Sequence, residues 1–111
     1  MAPVIKCVAL DKSNIRELLD SVDAVLSDCD GVLWSTDKVI PGAPDAVRKL
    51  KEMGKKVLYV TNNSNKSREQ YLHKFADMGY EVTEKDIYAS SYVTAEYLKT
   101  KLNYTGKVRV T

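Results

Sequence analysis

Residues 28–34 read Asp-Cys-Asp-Gly-Val-Leu-Trp and directly follow an apolar run that begins at Ala24. A short apolar run that ends in polar residues is typical of a buried strand in a parallel sheet. Asp28 and Asp30 are two positions apart, which puts both carboxylates on one face while the backbone stays extended. Gly31 then allows a sharp turn, because glycine has no Cβ. The stretch therefore predicts a strand that ends in two aligned carboxylates and a turn.

Outward from this stretch, helical and strand patterns alternate along the chain. Apolar residues at helical spacing predict four helices, around residues 15–22, 46–53, 71–78 and 93–102. Strands are predicted at residues 24–28, 57–60 and, as a short strand or an extended link, 87–89; Val108 and Val110 are expected to begin a last one. Strands that alternate with helices predict βαβ units, and therefore an α/β fold with a parallel sheet.

Polar residues able to cap a helix lie near three of the four predicted helix starts and near one predicted helical turn. The capping candidates are Asn14 with Glu17, Ser64 or Asn65, Thr83 with Asp86 for a helical turn, and Ser90 or Ser91.

The second predicted strand ends in Thr61-Asn62-Asn63-Ser64, which is expected to open the third helix. A hydroxyl and free N–H groups at a helix N-terminus form an anion-binding arrangement. Ligands of parallel sheets bind beyond the carboxyl ends of the strands, where the Asp28–Asp30 pair is also expected. An anion site beside two carboxylates indicates phosphoryl chemistry with a metal, and oxygen ligands suit Mg²⁺. A turn or capping pair is the competing interpretation of the two aspartates.

Length and composition exclude several classes of protein. The chain has 111 residues, 44% of them hydrophobic, which is enough for one domain with a core. A net charge of +2 without a basic stripe argues against nucleic acid as a partner. Its apolar runs are too short for a membrane helix, and its start does not resemble a signal peptide. We therefore expect a cytoplasmic protein that binds neither membrane nor nucleic acid.

Three motifs in this order resemble the haloacid dehalogenase superfamily: residues 28–34, the stretch Val-Ile-Pro-Gly-Ala-Pro at 39–44, and Val-Thr-Asn-Asn-Ser at 60–64. More closely, they resemble its phosphoglycolate, pyridoxal and 4-nitrophenyl phosphatase group. The resemblance implies a Rossmann-like, three-layer fold with a parallel sheet. It also implies a Mg²⁺-dependent phosphomonoester hydrolase that acts on small phosphorylated metabolites through an aspartyl-phosphate.

The resemblance assigns roles to individual residues. It implies that Asp28 is the nucleophile and Asp30 the general acid. The Asp28 carboxylate and the main-chain carbonyl of Asp30 would bind Mg²⁺, and residues 32–40 resemble a flap that opens and shuts over the site. The residues expected to bind phosphate are Gly31, Thr61, Asn62 and Asn63.

The family pattern extends beyond the motifs of this chain. A lysine motif and an aspartate motif follow in the family, beyond a cap domain, and neither has a match here. Residues 1–111 are therefore expected to form the N-terminal part of the core, truncated before the cap domain and the last core strands. We expect weak or no phosphatase activity from such a chain, and self-association through an exposed sheet edge.

Two other functions remain open at this stage. One is a non-catalytic truncated form that binds a partner or a full-length relative. The other is a receiver-like phospho-acceptor domain, which the phosphatase-like motifs disfavour. Among single residues, Cys29 is expected to be a small buried filler and His73 to lie on a solvated helix face. Trp34 is expected either to pack under the flap or to line the entrance of the site.

Overall fold

Three parallel strands with helices packed against them make up this protein, whose computed structural model describes residues 6–108. In chain order the elements are α1 (Ile15–Asp20), β1 (Ala24–Asp28), β2 (Trp34–Ser35), β3 (Lys38–Val39), α2 (Ala43–Glu52), β4 (Lys56–Thr61), α3 (Arg68–Asp77), a 3-10 helix (Glu84–Asp86), β5 (Ile87–Ala89) and α4 (Ser90–Thr100). The predicted alternation of helix and strand is confirmed.

The sheet has the strand order β1-β4-β5, and both pairings are parallel. Each connection between paired strands runs through a helix, as parallel pairing requires. In the register, Asp28 lies opposite Val60 and Thr61 lies opposite Ala89. The α/β fold class with a parallel sheet is therefore confirmed, and residues 87–89 are a strand. Of the predicted last strand, Val108 is not in a strand and Val110 lies outside the described residues.

One face of the sheet packs against the hydrophobic core. Alternate residues of β4 are buried, and Ile87 and Ala89 of β5 lie beside them on the same face. Phe75 of α3 is fully buried, and its ring centroid lies 4.7 Å from Tyr59 and 4.9 Å from Trp34. Such aromatic pairs add to the free energy gained by burying their area. The core thus ties α3 to β4 and to the segment after β1.

The opposite face and the β1 side of the sheet are more open. Leu26 of β1 is 68% exposed and Val60 of β4 is 42% exposed. Within residues 6–108, β1 pairs only with β4, so its other edge keeps unpaired backbone groups. The prediction of an exposed apolar edge strand therefore agrees with the described part of the chain.

Residues 32–40, the segment that is expected to be a flap and is called the flap below, contain a hairpin of β2 and β3 in which Trp34 pairs with Val39. Two side chains from outside the hairpin hold it. The Tyr80 hydroxyl donates to the Leu33 carbonyl at 2.8 Å, and the Lys74 ammonium donates to the Thr36 carbonyl at 3.0 Å. In this structure the flap is therefore fastened to α3 and to the residues that follow it.

The start of α3 differs from the prediction. Ser67 is the N-cap, and it forms a reciprocal capping box with Gln70. The expected caps Ser64 and Asn65 are wrong, because the Asn65 N–H donates to the Asn63 side chain at 2.9 Å in a turn that keeps this segment out of the helix.

Neither Ser90 nor Ser91 caps α4, since both lie within it, whereas Asn14 is confirmed as the start of α1 but not as a side-chain cap. Ser90 is the first residue of α4 rather than its cap, and its hydroxyl donates to the Asn62 carbonyl at 3.2 Å. Asn14 occupies the N-cap position of α1 without a side-chain capping bond, and its amide donates to the Ala9 carbonyl instead. The turn at Thr83 and Asp86 is confirmed, since both the hydroxyl and the N–H of Thr83 donate to the Asp86 carboxylate.

Helix lengths bear on membrane insertion. The longest helix, α4, has 11 residues. No helix within residues 6–108 has both the length and the apolar character needed to cross a bilayer.

Phe75 offers a direct test of this core. We expect Phe75→Ala to lower the free energy of unfolding by about 3–5 kcal/mol, because it leaves a cavity among three aromatic rings. His73→Ala, on the exposed side of the same helix, should change it by less than about 0.5 kcal/mol. Urea unfolding followed by Trp34 fluorescence measures both. Equal midpoints for the two variants would contradict the described packing.

Candidate active site

The two aspartates at the end of β1 point away from the residue between them. Asp28 and Asp30 are exposed, whereas Cys29 is fully buried. This alternation is what an extended strand end predicts, and it confirms Cys29 as a buried residue. Both carboxylates therefore lie on the solvent side of the strand end, within reach of a ligand.

A tight turn follows the aspartates. Gly31 has φ +85, a left-handed conformation that glycine adopts without strain. The N–H groups of Val32 and Leu33 donate to the Cys29 carbonyl at 3.2 and 2.9 Å. The N–H of Gly31 itself donates to the Trp34 carbonyl at 2.7 Å. A phosphate contact through this N–H, as the sequence predicts, would compete with that hydrogen bond.

Each aspartate uses one carboxylate oxygen in a hydrogen bond. Oδ1 of Asp28 accepts from the Cys29 N–H at 2.8 Å, and Oδ1 of Asp30 accepts from the Trp34 indole at 2.9 Å. Among the side-chain hydrogen bonds of residues 6–108, Oδ2 has no partner in either aspartate. Each carboxylate thus keeps one oxygen for a ligand or a reaction.

The donor set fits a magnesium ion that keeps part of its water shell. Mg²⁺ binds hard oxygen atoms and often takes only one or two carboxylates from the protein. Residues 6–108 hold no cluster of three or more His, Cys, Asp or Glu side chains that could enclose a metal. Asp28 and Asp30 can therefore hold Mg²⁺ only with water or other oxygen ligands completing the shell.

Thr61 ends the neighbouring strand β4 and is 2% exposed. Its Oγ1 accepts from the Asn63 N–H at 3.2 Å and lies 3.5 Å from the Tyr71 hydroxyl. A threonine hydroxyl has two acceptor positions and one hydrogen. With both neighbours as donors, Thr61 keeps its own hydrogen for an anion.

The segment after Thr61 is a loop and not a helix N-terminus. The helix α3 begins only at Arg68, because Ser67 and Gln70 cap it there. Asn62 is exposed and Asn63 is half-buried, and the Asn63 side chain is occupied by the Asn65 N–H. The prediction that residues 61–64 open a helix is therefore wrong, and with it the expected anion site at a helix N-terminus. Phosphate binding by Asn62 and Asn63 stays a prediction, now resting on loop groups.

The register of the sheet brings the two ends together. Asp28 is opposite Val60, so Thr61 lies one residue further along the adjacent strand. Neighbouring strands are about 4.8 Å apart. Burial raises the pKa of the Tyr71 phenol; the Thr61 hydrogen bond opposes the shift, and the charge of Asp30 adds to it. The carboxyl end of the sheet therefore carries Asp28 and Thr61, with Asp30 just beyond Asp28 and the Tyr71 hydroxyl beside Thr61.

Sequence reasoning missed the partners of these groups. The sequence places Tyr71 in the apolar stripe of the helix predicted around residues 71–78, whereas in the structure its hydroxyl lies 3.5 Å from that of Thr61. Trp34 is buried against Phe75 and Tyr80, and its indole also donates to Asp30, a pairing that the spacing of four residues around Gly31 could have suggested. Lys74 was not singled out at all, yet it lies 4.9 Å from the Trp34 ring centroid.

Comparisons with known proteins point in one direction. The sequence model described as haloacid dehalogenase-like hydrolase matches residues 25–111. The chain is 48% identical over 86 residues to phosphoglycolate phosphatase 1A, chloroplastic, of Arabidopsis thaliana, covering 78% of the chain and 24% of that protein. It is 42% identical over 95 residues to 4-nitrophenylphosphatase of Schizosaccharomyces pombe, covering 86% of the chain and 32% of that protein.

A solved structure agrees with the sequence matches. The 4-nitrophenylphosphatase of Thermotoga maritima superposes with a TM-score of 0.70 at 30% identity, covering 76% of the chain and 32% of that protein. The chain thus spans between a quarter and a third of the length of these curated relatives.

The buried thiol gives a test of the site's geometry. Burial raises the pKa of Cys29 to about 12, with the charges of Asp28 and Asp30 adding to the shift and Lys74 opposing it. Roughly one Cys29 thiol in 10⁴ is then ionised near pH 8. We expect iodoacetamide to label the exposed Cys7 and to spare Cys29 until the pH approaches about 12.

Peptide mass spectrometry measures the labelling of each cysteine. Guanidinium-unfolded protein serves as the control, because both thiols should react there at similar rates. Labelling of Cys29 as fast as Cys7 in the folded protein would contradict its burial between the aspartates.

Proposed function

The chain belongs to the haloacid dehalogenase-like hydrolases, and on this premise we propose that it carries the nucleophile and acid of a Mg²⁺-dependent phosphomonoester hydrolase. Its substrates would be small phosphorylated metabolites, as the names of its phosphatase relatives suggest. The observation that supports this most is the parallel register of β1 with β4, which sets Asp28 opposite Val60 and so puts Asp28 and Thr61 at the same end of the sheet, with Asp30 two residues beyond Asp28. These are groups that phosphoryl transfer needs.

In the first step, the free oxygen of Asp28 attacks phosphorus. A bond forms between that oxygen and phosphorus, and the bond from phosphorus to the ester oxygen breaks. Asp30, in its protonated form, gives its proton to the departing oxygen, so the alcohol leaves neutral. The product on the protein is an aspartyl-phosphate at Asp28.

In the second step, water replaces Asp28 on phosphorus. Asp30 has lost its proton and now removes one from the attacking water, which regenerates the acid for the next turnover. The bond between Asp28 and phosphorus breaks, and inorganic phosphate leaves. One carboxyl group therefore serves both steps in opposite protonation states.

Thr61 would hold the phosphoryl group during both steps. Its hydroxyl hydrogen is available to a phosphate oxygen because Asn63 and Tyr71 can supply its acceptor positions. Bound Mg²⁺, held by the Asp28 carboxylate and the main-chain carbonyl of Asp30, would offset the charge of the phosphate dianion and the nucleophile. These two ligands alone hold the ion weakly, so slow turnover is expected of the 111-residue chain.

Aryl phosphate hydrolysis tests the proposal. We expect the purified chain with Mg²⁺ to release 4-nitrophenol from 4-nitrophenyl phosphate, and Asp28→Asn to lower the rate at least about 10²-fold, because it removes the nucleophile. Asp77→Asn, an exposed acid at the end of α3, is the matched control and should keep the wild-type rate.

A second readout covers very slow turnover. Intact-mass analysis after rapid acid quenching should detect one phosphoryl group on the wild-type chain and none on Asp28→Asn. A wild-type chain that neither turns over nor becomes phosphorylated would defeat the proposal for this chain. So would equal rates for Asp28→Asn and Asp77→Asn.

A second candidate function is association with another copy of the chain, which the open edge of β1 favours. The strand pairs on one side only within residues 6–108, and Leu26 is 68% exposed. An unpaired apolar strand edge is a template for pairing with a second strand. The proposed partner surface is the free edge of β1.

Charge placed on this strand should weaken the association. We expect analytical ultracentrifugation to show concentration-dependent dimers or larger species for the wild type, and Leu26→Lys to shift the chain toward monomer. Met53→Lys, at a residue 38% exposed beyond α2, is the control and should behave as the wild type. A wild type that stays monomeric over the whole concentration range would overturn the proposal.

A further inference from the structure

Trp34 is the one tryptophan of the chain, and its indole binds the side chain of Asp30. The ring is fully buried, while the N–H at its edge donates to Oδ1 of Asp30 at 2.9 Å. The two residues are also joined through the backbone, because the Gly31 N–H donates to the Trp34 carbonyl at 2.7 Å. A core side chain thus has its polar edge directed at one oxygen of the proposed acid.

The chemistry of indole makes this contact directional. An indole nitrogen is only a donor, so it cannot accept a proton that Asp30 might carry on Oδ1. Oδ1 is therefore held as an acceptor, and a proton on this carboxyl group belongs on Oδ2. We propose that Trp34 is a positioning residue that makes Oδ2 the proton-carrying oxygen of Asp30; this rests on the proposed role of Asp30 as acid.

Both proton transfers of the reaction then take place at one atom, Oδ2 of Asp30. In the first step the proton leaves Oδ2 for the ester oxygen, and in the second a proton from water returns to Oδ2. The bond between the indole N–H and Oδ1 persists through both. Trp34 neither gains nor loses a proton, and it acts only through the orientation of Asp30.

The surroundings of Trp34 keep the indole in place. Its ring meets Phe75 and Tyr80 edge-on, at centroid distances of 4.9 and 6.3 Å. The Lys74 ammonium lies 4.9 Å from the ring centroid and also binds the flap at Thr36. A side chain fixed by packing on several sides can orient its partner without losing freedom during the reaction. The orientation of Asp30 is thereby linked to α3 through the flap.

The contact itself can be observed without any activity. A chain labelled with ¹⁵N has one indole cross-peak, and we expect its N–H to exchange slowly with water. Asp30→Ala should move this peak upfield and speed its exchange at least tenfold, because the acceptor is lost. Asp28→Ala is the matched control and should leave both unchanged, since Asp28 accepts from the Cys29 N–H instead. Equal effects of the two variants, or none, would overturn the contact.

The functional consequence is tested by leaving groups of different quality. Trp34→Phe keeps an aromatic ring against Phe75 but removes the donor. A misplaced acid should matter most for glycerol 3-phosphate, whose alkoxide leaves poorly, and little for 4-nitrophenyl phosphate, whose phenolate needs no proton. We expect kcat to fall about tenfold or more on the first ester and less than about threefold on the second.

Loss of rate on both esters by the same factor would mean that Trp34 only supports the fold, and would overturn its positioning role. Circular dichroism and the unfolding midpoint of Trp34→Phe separate that case from simple unfolding. If the wild type hydrolyses neither ester, the proposed hydrolase function fails for this chain, whereas the indole cross-peak still decides whether Trp34 holds Asp30. The two failures are therefore distinguishable.

Discussion

The parallel pairing of β1 with β4 is the constraint on which the rest of the structure depends. Its register sets Asp28 opposite Val60, and so places the two aspartates and Thr61 at the same carboxyl end of the sheet. A shift of this register by one residue would turn the side chains of one strand to the opposite face. The buried residues of β4 fix it, because Val57 and Tyr59 must face α2 and α3 to stay out of water.

Local pattern accounts for much of this fold. The apolar runs at β1 and β4 correctly predict strands, and the stripe of Tyr71 and Phe75 predicts α3. The predicted burial of β1 is wrong within residues 6–108, because no residue of β1 is buried and Leu26 is 68% exposed. Helix starts were less predictable. Ser64, Asn65 and Ser67 are all good caps by residue type, and the choice falls on Ser67 because Gln70 can complete the box. The turn at Asn63, which keeps Ser64 and Asn65 out of the helix, depends on the position of the end of β4 in the folded sheet.

The candidate site divides in the same way. The positions of Asp28, Asp30 and Thr61 could be predicted, because each lies at the carboxyl end of a predicted strand or just beyond it, and parallel strands end on the same side of a sheet. The hydroxyl of Tyr71 could not, since it reaches Thr61 from within the core, and a buried aromatic ring in a sequence gives no sign of where its polar edge points. The same limit applies to Gly31, whose predicted free N–H is in fact bound to Trp34.

Core and site are consequently not separate parts of this molecule. Phe75 packs against Trp34, the Trp34 indole donates to Asp30, and Asp30 lies two residues from Asp28, the proposed nucleophile. Burial of the ring keeps the indole in place, so the indole loses little further conformational entropy when it orients the carboxylate. Cys29 fills the core as a neutral thiol between the two exposed aspartates. The alignment that phosphoryl chemistry needs is thus a by-product of how this strand end is buried.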